Sequence, residues 1–200
     1  MIKISRIYQS VRREGINVGK PATFIELDDN GKEYMEERIF DILNKGIPCR
    51  LLVIMGKEPL TQIAELCGKT NSLLNSILKN ENLPITEIEL ETTGLIRPDQ
   101  NSYWNVTDFS VSPIEFTDET AKKFDEFYNI VGDITTLNIH VNDEEEFNKR
   151  LEWVKNKVKS TLIAQEIIFI VKNYNLLKKI TPTCRNDGFR VGMNILPEEE

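Results

Sequence analysis

Short strand-patterned stretches alternate with helix-patterned ones along almost the whole chain, and this alternation limits the fold more than any other feature. Residues 50–55 form a short, largely apolar run, as expected of a parallel strand covered on both faces. Residues 2–10 and 22–27 read as strands, the second after a Gly19-Lys20-Pro21 turn signal. Residues 85–91 carry apolar side chains at 85, 88 and 90, residues 107–111 form a further candidate strand closing at Ser112-Pro113, and residues 134–141 alternate with a period of two. Between them, Asp28-Asp29-Asn30-Gly31 predicts a polar turn and residues 33–44 a helix ended by Gly46-Ile47-Pro48. Residues 59–66, 71–80 and 121–128 are patterned as helices, and Asn142 is placed to cap another, running to about Lys157, whose acidic start suits the positive end of the helix. In residues 161–179, Ile163, Ile167, Phe169, Ile170 and Val171 fit either a final strand followed by a helix or one buried helix.

Strands alternating with helices imply βαβ units, a mainly parallel sheet and right-handed crossovers. About six such repeats in 200 residues suit an α/β fold of one domain over residues 1–200, an open or partial barrel of mainly parallel strands with outer helices rather than a complete eight-fold one. Ligands of such folds sit at the C-terminal ends of the strands, so the loops after Leu27, Met55, Glu91, Val111 and Val141 are the places for a site.

Composition narrows the function classes. The chain is 40% hydrophobic and 28% charged, as a globular protein is. Its 25 Lys plus Arg against 32 Asp plus Glu leave a net charge of -7, which argues against nonspecific nucleic-acid binding. The longest apolar runs, 51–55 and 167–171, are too short to span a bilayer, and the Met1-Ile2-Lys3-Ile4-Ser5-Arg6 start has no signal-peptide core, so no membrane association and a cytoplasmic location are expected. Cys49, Cys67 and Cys184 are an odd, sparse set without CxxC or iron–sulfur spacing, and read as reduced thiols. His140 is the only histidine, which disfavours a zinc site or a catalytic triad.

Four motifs in register carry a resemblance. The opening Ile7-Tyr8-Gln9-Ser10-Val11-Arg12-Arg13-Glu14-Gly15, continuing through Gly19-Lys20-Pro21 to Phe24-Ile25-Glu26-Leu27, is the first. Leu52-Val53-Ile54-Met55-Gly56-Lys57-Glu58-Pro59-Leu60, Glu89-Leu90-Glu91-Thr92-Thr93-Gly94 and Val111-Ser112-Pro113 are the others, with Asn186-Asp187-Gly188-Phe189-Arg190-Val191 near the end. Together they resemble 7-carboxy-7-deazaguanine synthase, the radical S-adenosylmethionine (SAM) enzyme of the queuosine and deazapurine pathway. The resemblance implies a shortened, partial (β/α)6 barrel of the radical-SAM type, a homodimer, and in the family a [4Fe–4S] cluster with SAM.

The departures from the family are as informative. The cluster is held by three cysteines in the loop after the strand matched by 22–27, and here that loop reads Asp28-Asp29-Asn30-Gly31-Lys32-Glu33 and on to Glu37 with no cysteine. Cys49 belongs at the other end of its strand and Cys67 on a following helix, so no cofactor is expected. Where the family has an arginine for the substrate carboxylate stands Glu26, and the second glycine of a Gly-Gly-Glu-Pro loop is Lys57, which would crowd SAM and repel its ammonium. A Gln-Gly-Glu-Gly turn is Arg12-Arg13-Glu14-Gly15, and the lysine after Ser-Pro is Ile114.

The candidate ligand-binding residues are therefore Glu14, Gly15, Glu26, Gly56, Lys57, Glu58, Glu91, Thr93, Gly94 and Ser112, with no catalytic or metal-binding residue among them. Glu58 and Glu91 read either as ligand contacts or as caps of strand-end turns, and Gly15 as part of a heterocycle site or as a turn. Arg12 and Arg13 read as an anion or partner contact, or more simply as solvated loop residues, and His140 as a satisfied structural residue. Tyr103 and Trp104 read as a recognition loop or as cover for the barrel edge, and 143–146 and 198–200 as a helix start and a solvated tail. The expectation is a non-catalytic homologue that binds a protein partner or a small heterocycle. The alternatives are an enzyme reusing the pocket without a cluster, or a synthase of the deazapurine pathway.

Overall fold

The computed structural model describes residues 1–62, 72–98, 105–132, 134–158 and 164–194. Cys67, Tyr103, Trp104, Ile163 and the acidic tail lie outside the described residues. Among the described residues one nine-stranded sheet is formed, and numbering its strands along the chain as β1 (2–11), β2 (21–27), β3 (32–34), β4 (51–56), β5 (87–92), β6 (108–111), β7 (134–141), β8 (164–171) and β9 (190–193) gives the order β3-β1-β2-β4-β5-β6-β7-β8-β9. β1 (Ile2–Val11) is antiparallel to both β2 (Pro21–Leu27) and β3 (Lys32–Tyr34). From β2 onward, β4 (Leu51–Gly56), β5 (Glu87–Thr92), β6 (Asp108–Val111), β7 (Ile134–Val141), β8 (Ala164–Val171) and β9 (Arg190–Met193) are all parallel to their neighbours.

Helices make the crossovers: α1 (Glu36–Lys45) before β4, α2 (Leu73–Lys79) before β5, α3 (Asp118–Val131) before β7, α4 (Glu144–Trp153) before β8 and α5 (Tyr174–Asp187) before β9. This is the α/β, mainly parallel partial barrel that the alternation predicts. For residues 161–179 it realises the strand-then-helix reading within the described part.

Several boundaries move for local reasons. Lys32–Tyr34 does not begin a helix, because it pairs with β1 (Ile2↔Tyr34, Ile4↔Lys32), and α1 starts only at Glu36. α3 is longer at both ends than 121–128: the Thr117 hydroxyl accepts from Thr120 N, and Gly132 closes the helix in the left-handed region (φ 80°). The cap of α4 is Asp143 rather than Asn142, whose backbone and side-chain amides donate to Glu146 instead. Pro59–Gln62 is a 3-10 turn, the rest of the 59–66 helical reading lying outside the described residues.

The strands place two different surfaces back to back, since successive side chains alternate. Ile25, Leu27, Leu52, Ile54, Ile88 and Leu90 join the helices in the main core, around the fully buried Phe124 and Phe127. On the opposite face, Ala22, Phe24, Leu51 and Val53 form a second, small cluster with Tyr8 and Met55. That face changes character along the sheet: Phe24 is in register with Val53, Val53 with Glu89, and Glu89 with Asp108. Apolar residues on β2 and β4 thus give way to carboxylates on β5 and β6.

Candidate functional site

The loop after β1 supplies the polar partners that this second face needs. Its backbone is pinned by bonds from Arg12 N to Lys20 O (2.8 Å), Gly19 N to Arg12 O (2.9 Å) and Lys20 N to Asn17 O (3.0 Å). The pinned loop buries Arg12, Gly15 and Asn17 and leaves Arg13, Ile16 and Val18 exposed. Arg12 is not a solvated loop residue: it is 5% exposed, and its Nε and Nη2 donate to Glu89 Oε1 at 3.1 and 2.7 Å, while Nη2 also pairs with Glu91. Asn17 Nδ2 donates to the second Glu89 oxygen at 2.9 Å, so a carboxylate only 1% exposed is bonded through both oxygens. Gly15 passes close enough that a side-chain carbon there would stand 3.3 Å from Glu89 Oε1.

Glu14 reaches the other side of the barrel. It accepts from Asn194 Nδ2, and His140 Nε2 lies 3.4 Å from its second oxygen. Below it, Asn138 Nδ2 donates to Ser110 Oγ at 2.7 Å, while the amide oxygens of Asn138 and Asn194 are buried without a donor among the described residues.

These environments push the carboxyl groups apart. Burial opposes charge on Glu14, yet His140, Arg12 and Asn194 outweigh it and hold its pKa below the ordinary carboxylate value. Burial raises that of Glu91, and the repulsion of Glu89 and Glu14 adds to it against the pull of Arg12. Burial also opposes the charge on Arg12, but the carboxylates of Glu91 and Glu89 win and raise its pKa.

A cleft of about 550 Å³ opens beside this network, within the range of small-molecule sites. Tyr8, Phe24 and Met55 line it together with Arg12, Glu14, Glu91 and Asn194, and Arg6, Ser10, Val11 and Arg13 complete its wall.

Of the residues named from sequence, Glu14, Gly15 and Glu91 meet here, and Glu26 is paired with Arg6, a residue of the cleft wall. The others gather at the ends of β4 to β6 and hold strand-end turns. Glu58 accepts from Thr92 Oγ1 (2.7 Å), from Thr93 N (3.2 Å) and from the Thr93 hydroxyl, which is the cap reading. Gly56 has φ 139°, and a side-chain carbon there would be 2.2 Å from Leu27 O. At Gly94 one would strike the Phe124 ring at 2.6 Å. Ser112 N donates to Thr92 O (2.8 Å). Lys57 is exposed and borders a recess of about 110 Å³ with Asp28, Asp29 and Glu58.

Sequence reasoning missed Glu89, Asn17, Ser110, Asn138 and Asn194. A signal existed for the first: apolar 88 and 90 set Glu87, Glu89 and Glu91 on the other face of a strand inside a parallel sheet.

The cluster that the resemblance implies does not fit the described residues. At the end of β2 the chain turns at once into β3: Asn30 N donates to Asp28 Oδ1 and Gly31 N to Asp28 O, both at 2.8 Å. That turn offers oxygen donors, which are poor ligands for iron–sulfur clusters. Cys49 is buried just before β4, at the opposite end of the sheet, and Cys184 is buried on α5, where burial pushes its thiol up to about 12. Among the described residues, no group of three His, Cys, Asp or Glu is placed to hold a metal ion. Among them, too, no helix is long and apolar enough to cross a membrane.

No family model matches the chain, and no curated protein matches it. Among solved structures it is similar to that titled "Crystal structure of QueE from Escherichia coli", with a TM-score of 0.64 at 16% identity over 98% of this chain and 94% of that one. The chain therefore has a QueE-like fold, a partial barrel. At this identity the likeness extends to the fold alone.

Proposed function

We propose that the chain is a non-catalytic homologue of 7-carboxy-7-deazaguanine synthase that acts by binding, with the cleft beside Arg12 as its ligand site. The observation that carries this reading is the tight Asp28–Gly31 turn, zipped by β3 onto β1 where the resemblance implies a cluster-binding loop. Two further features support it: Glu26 faces Arg6 where the resemblance implies an arginine for a carboxylate, and the network at the cleft is prebuilt from buried, bonded groups. A small heterocycle suits the cleft's mixture of apolar and hydrogen-bonding walls. Binding of a protein partner, or of a second copy of the chain, is the second reading. It is favoured by Val11, Ile16 and Val18, exposed by 50%, 42% and 58% beside the cleft.

The test is the iron and sulfide content per chain after anaerobic reconstitution, with an electron paramagnetic resonance spectrum after reduction. No cluster signal is expected. A stoichiometric [4Fe–4S] signal that shifts on adding SAM overturns the reading and restores the synthase. Light scattering across a concentration series tests self-association.

A further inference from the structure

The strand β1 is only partly covered on its outer side, and the bare stretch points to what the chain binds there; this inference rests on the self-association reading above. β1 pairs with β2 from Ile4 to Val11, but β3 covers its other side at Ile2, Lys3 and Ile4 alone. Among the described residues, no strand pairs with 5–11 on that side.

The loop beyond the strand fixes which backbone groups are bare. Arg12 N donates to Lys20 O and Arg12 O accepts from Gly19 N, so the backbone of Arg12 faces the β2 side. Backbone groups alternate sides along a strand. Tyr8 and Ser10 therefore bond towards β2, whereas Ile7, Gln9 and Val11 turn both N–H and C=O to the bare edge. The register shift between Ile4 and Arg6 separates this stretch from the part that β3 covers.

Soluble proteins guard such edges with lysine, proline, misplaced charges or a covering element. Residues 5–11 read Ser-Arg-Ile-Tyr-Gln-Ser-Val, with no proline, lysine or carboxylate, and their one charge, Arg6, is paired with Glu26. The surface beside the edge is apolar and exposed: Val11 by 50%, Val18 in the following loop by 58%, and Ile47 by 70%. Gln9 holds Ile47 against the strand, its Oε1 accepting from Ile47 N at 2.7 Å.

We propose that the β1 edge takes the β1 edge of a second copy of this chain, antiparallel about a two-fold axis at Gln9, joining the two sheets into one. Such pairing needs a strand that matches its own reverse. About Gln9 this one does: Ile7 stands opposite the second copy's Val11, Tyr8 opposite its Ser10, and Gln9 opposite Gln9. Every residue whose backbone faces the edge then meets another of the same kind, and the branched apolar side chains pair. Arg6 comes opposite Arg12, each of which already has its own carboxylate partner. A two-fold at Tyr8 sets Ile7 against Gln9 and Val11 against Ser5, and loses the apolar pair.

Analytical ultracentrifugation of the full chain across a concentration series, with amide hydrogen exchange read residue by residue, tests this. A dimer is expected, in which the N–H groups of Ile7, Gln9 and Val11 exchange about ten-fold or more slowly than in the diluted monomer. Val11→Pro deletes an edge N–H and leaves the Arg12–Lys20 bond in place, so it is expected to weaken dimerisation about ten-fold or more while circular dichroism shows the fold retained. Val11→Lys, which sets a guarding charge on the edge, serves in its place if proline disturbs the fold. A dimer whose Ile7, Gln9 and Val11 amides still exchange as in the monomer, or that Val11→Lys leaves intact, refutes the edge and leaves self-association standing. A monomer at every concentration overturns both.

Discussion

Replacing Arg12 by Met tests the buried network at its centre. The guanidinium is 5% exposed and its main partner Glu89 is 1% exposed, so the substitution strands a carboxylate whose one remaining donor among the described residues is Asn17 Nδ2, and it takes from Glu91 the cation paired with it. Breaking a buried pair from one side costs about 3–5 kcal/mol, because the orphaned charge stays desolvated. In a chain of this length, that corresponds to a fall of about 6–20 °C in melting temperature. Urea denaturation of both proteins at pH 7 measures the loss. The sign of its pH dependence follows from the same picture. Without Arg12 the Glu91 carboxyl, which burial already holds above its usual range, loses the pull that opposed that rise, so the variant suffers most above that range and recovers as falling pH protonates it. Adding Glu89→Gln removes the orphaned charge, and the double variant is expected to recover about 2 kcal/mol or more. A single-variant loss below about 1 kcal/mol, the size expected of an exposed ion pair, would refute the buried network.

Two further outcomes follow from the same structure. Glu14 has a folded-state pKa below the ordinary 4.5, so its stabilisation is present above that value and is lost as pH falls through the depressed one; Glu14→Gln is expected to flatten this acid limb in melting curves taken across that range, and an unchanged slope contradicts the Glu14–His140–Asn194 contact. Gly56→Ala forces a side-chain carbon against Leu27 O and is expected to cost about 3 kcal/mol or more, whereas Gly132→Ala, left-handed but with nothing within 4 Å, costs about 1 kcal/mol; equal losses in parallel thermal melts would contradict the close approach of β4 to β2.

The class of fold is legible in the sequence, because strand and helix periodicities are local properties and their alternation admits few topologies. Apolar 88 and 90 on β5, the period-two pattern of 134–141 and the acidic start of α4 all stand in the structure as in the sequence. Local pattern failed where pairing between distant segments decided the outcome. Lys32–Tyr34 has no strong strand signal of its own and becomes β3 only because β1 offers an edge to it. The candidate site divides along the same line. Glu14, Gly15 and Glu91 could be named from motifs, and Gly56, Glu58 and Gly94 likewise, although the structure turns those three to strand-end geometry and close packing. That Arg12 is buried rather than solvated depends on contacts between segments far apart in the chain. Its partners Glu89 and Glu91 lie far along the chain on a central strand, and a guanidinium with two acidic neighbours has no signature in its own stretch of sequence. The meeting of Glu14 with His140 and Asn194 is of the same kind: three separate segments come together because the sheet curls, and curvature is a property of the whole sheet that no single strand carries.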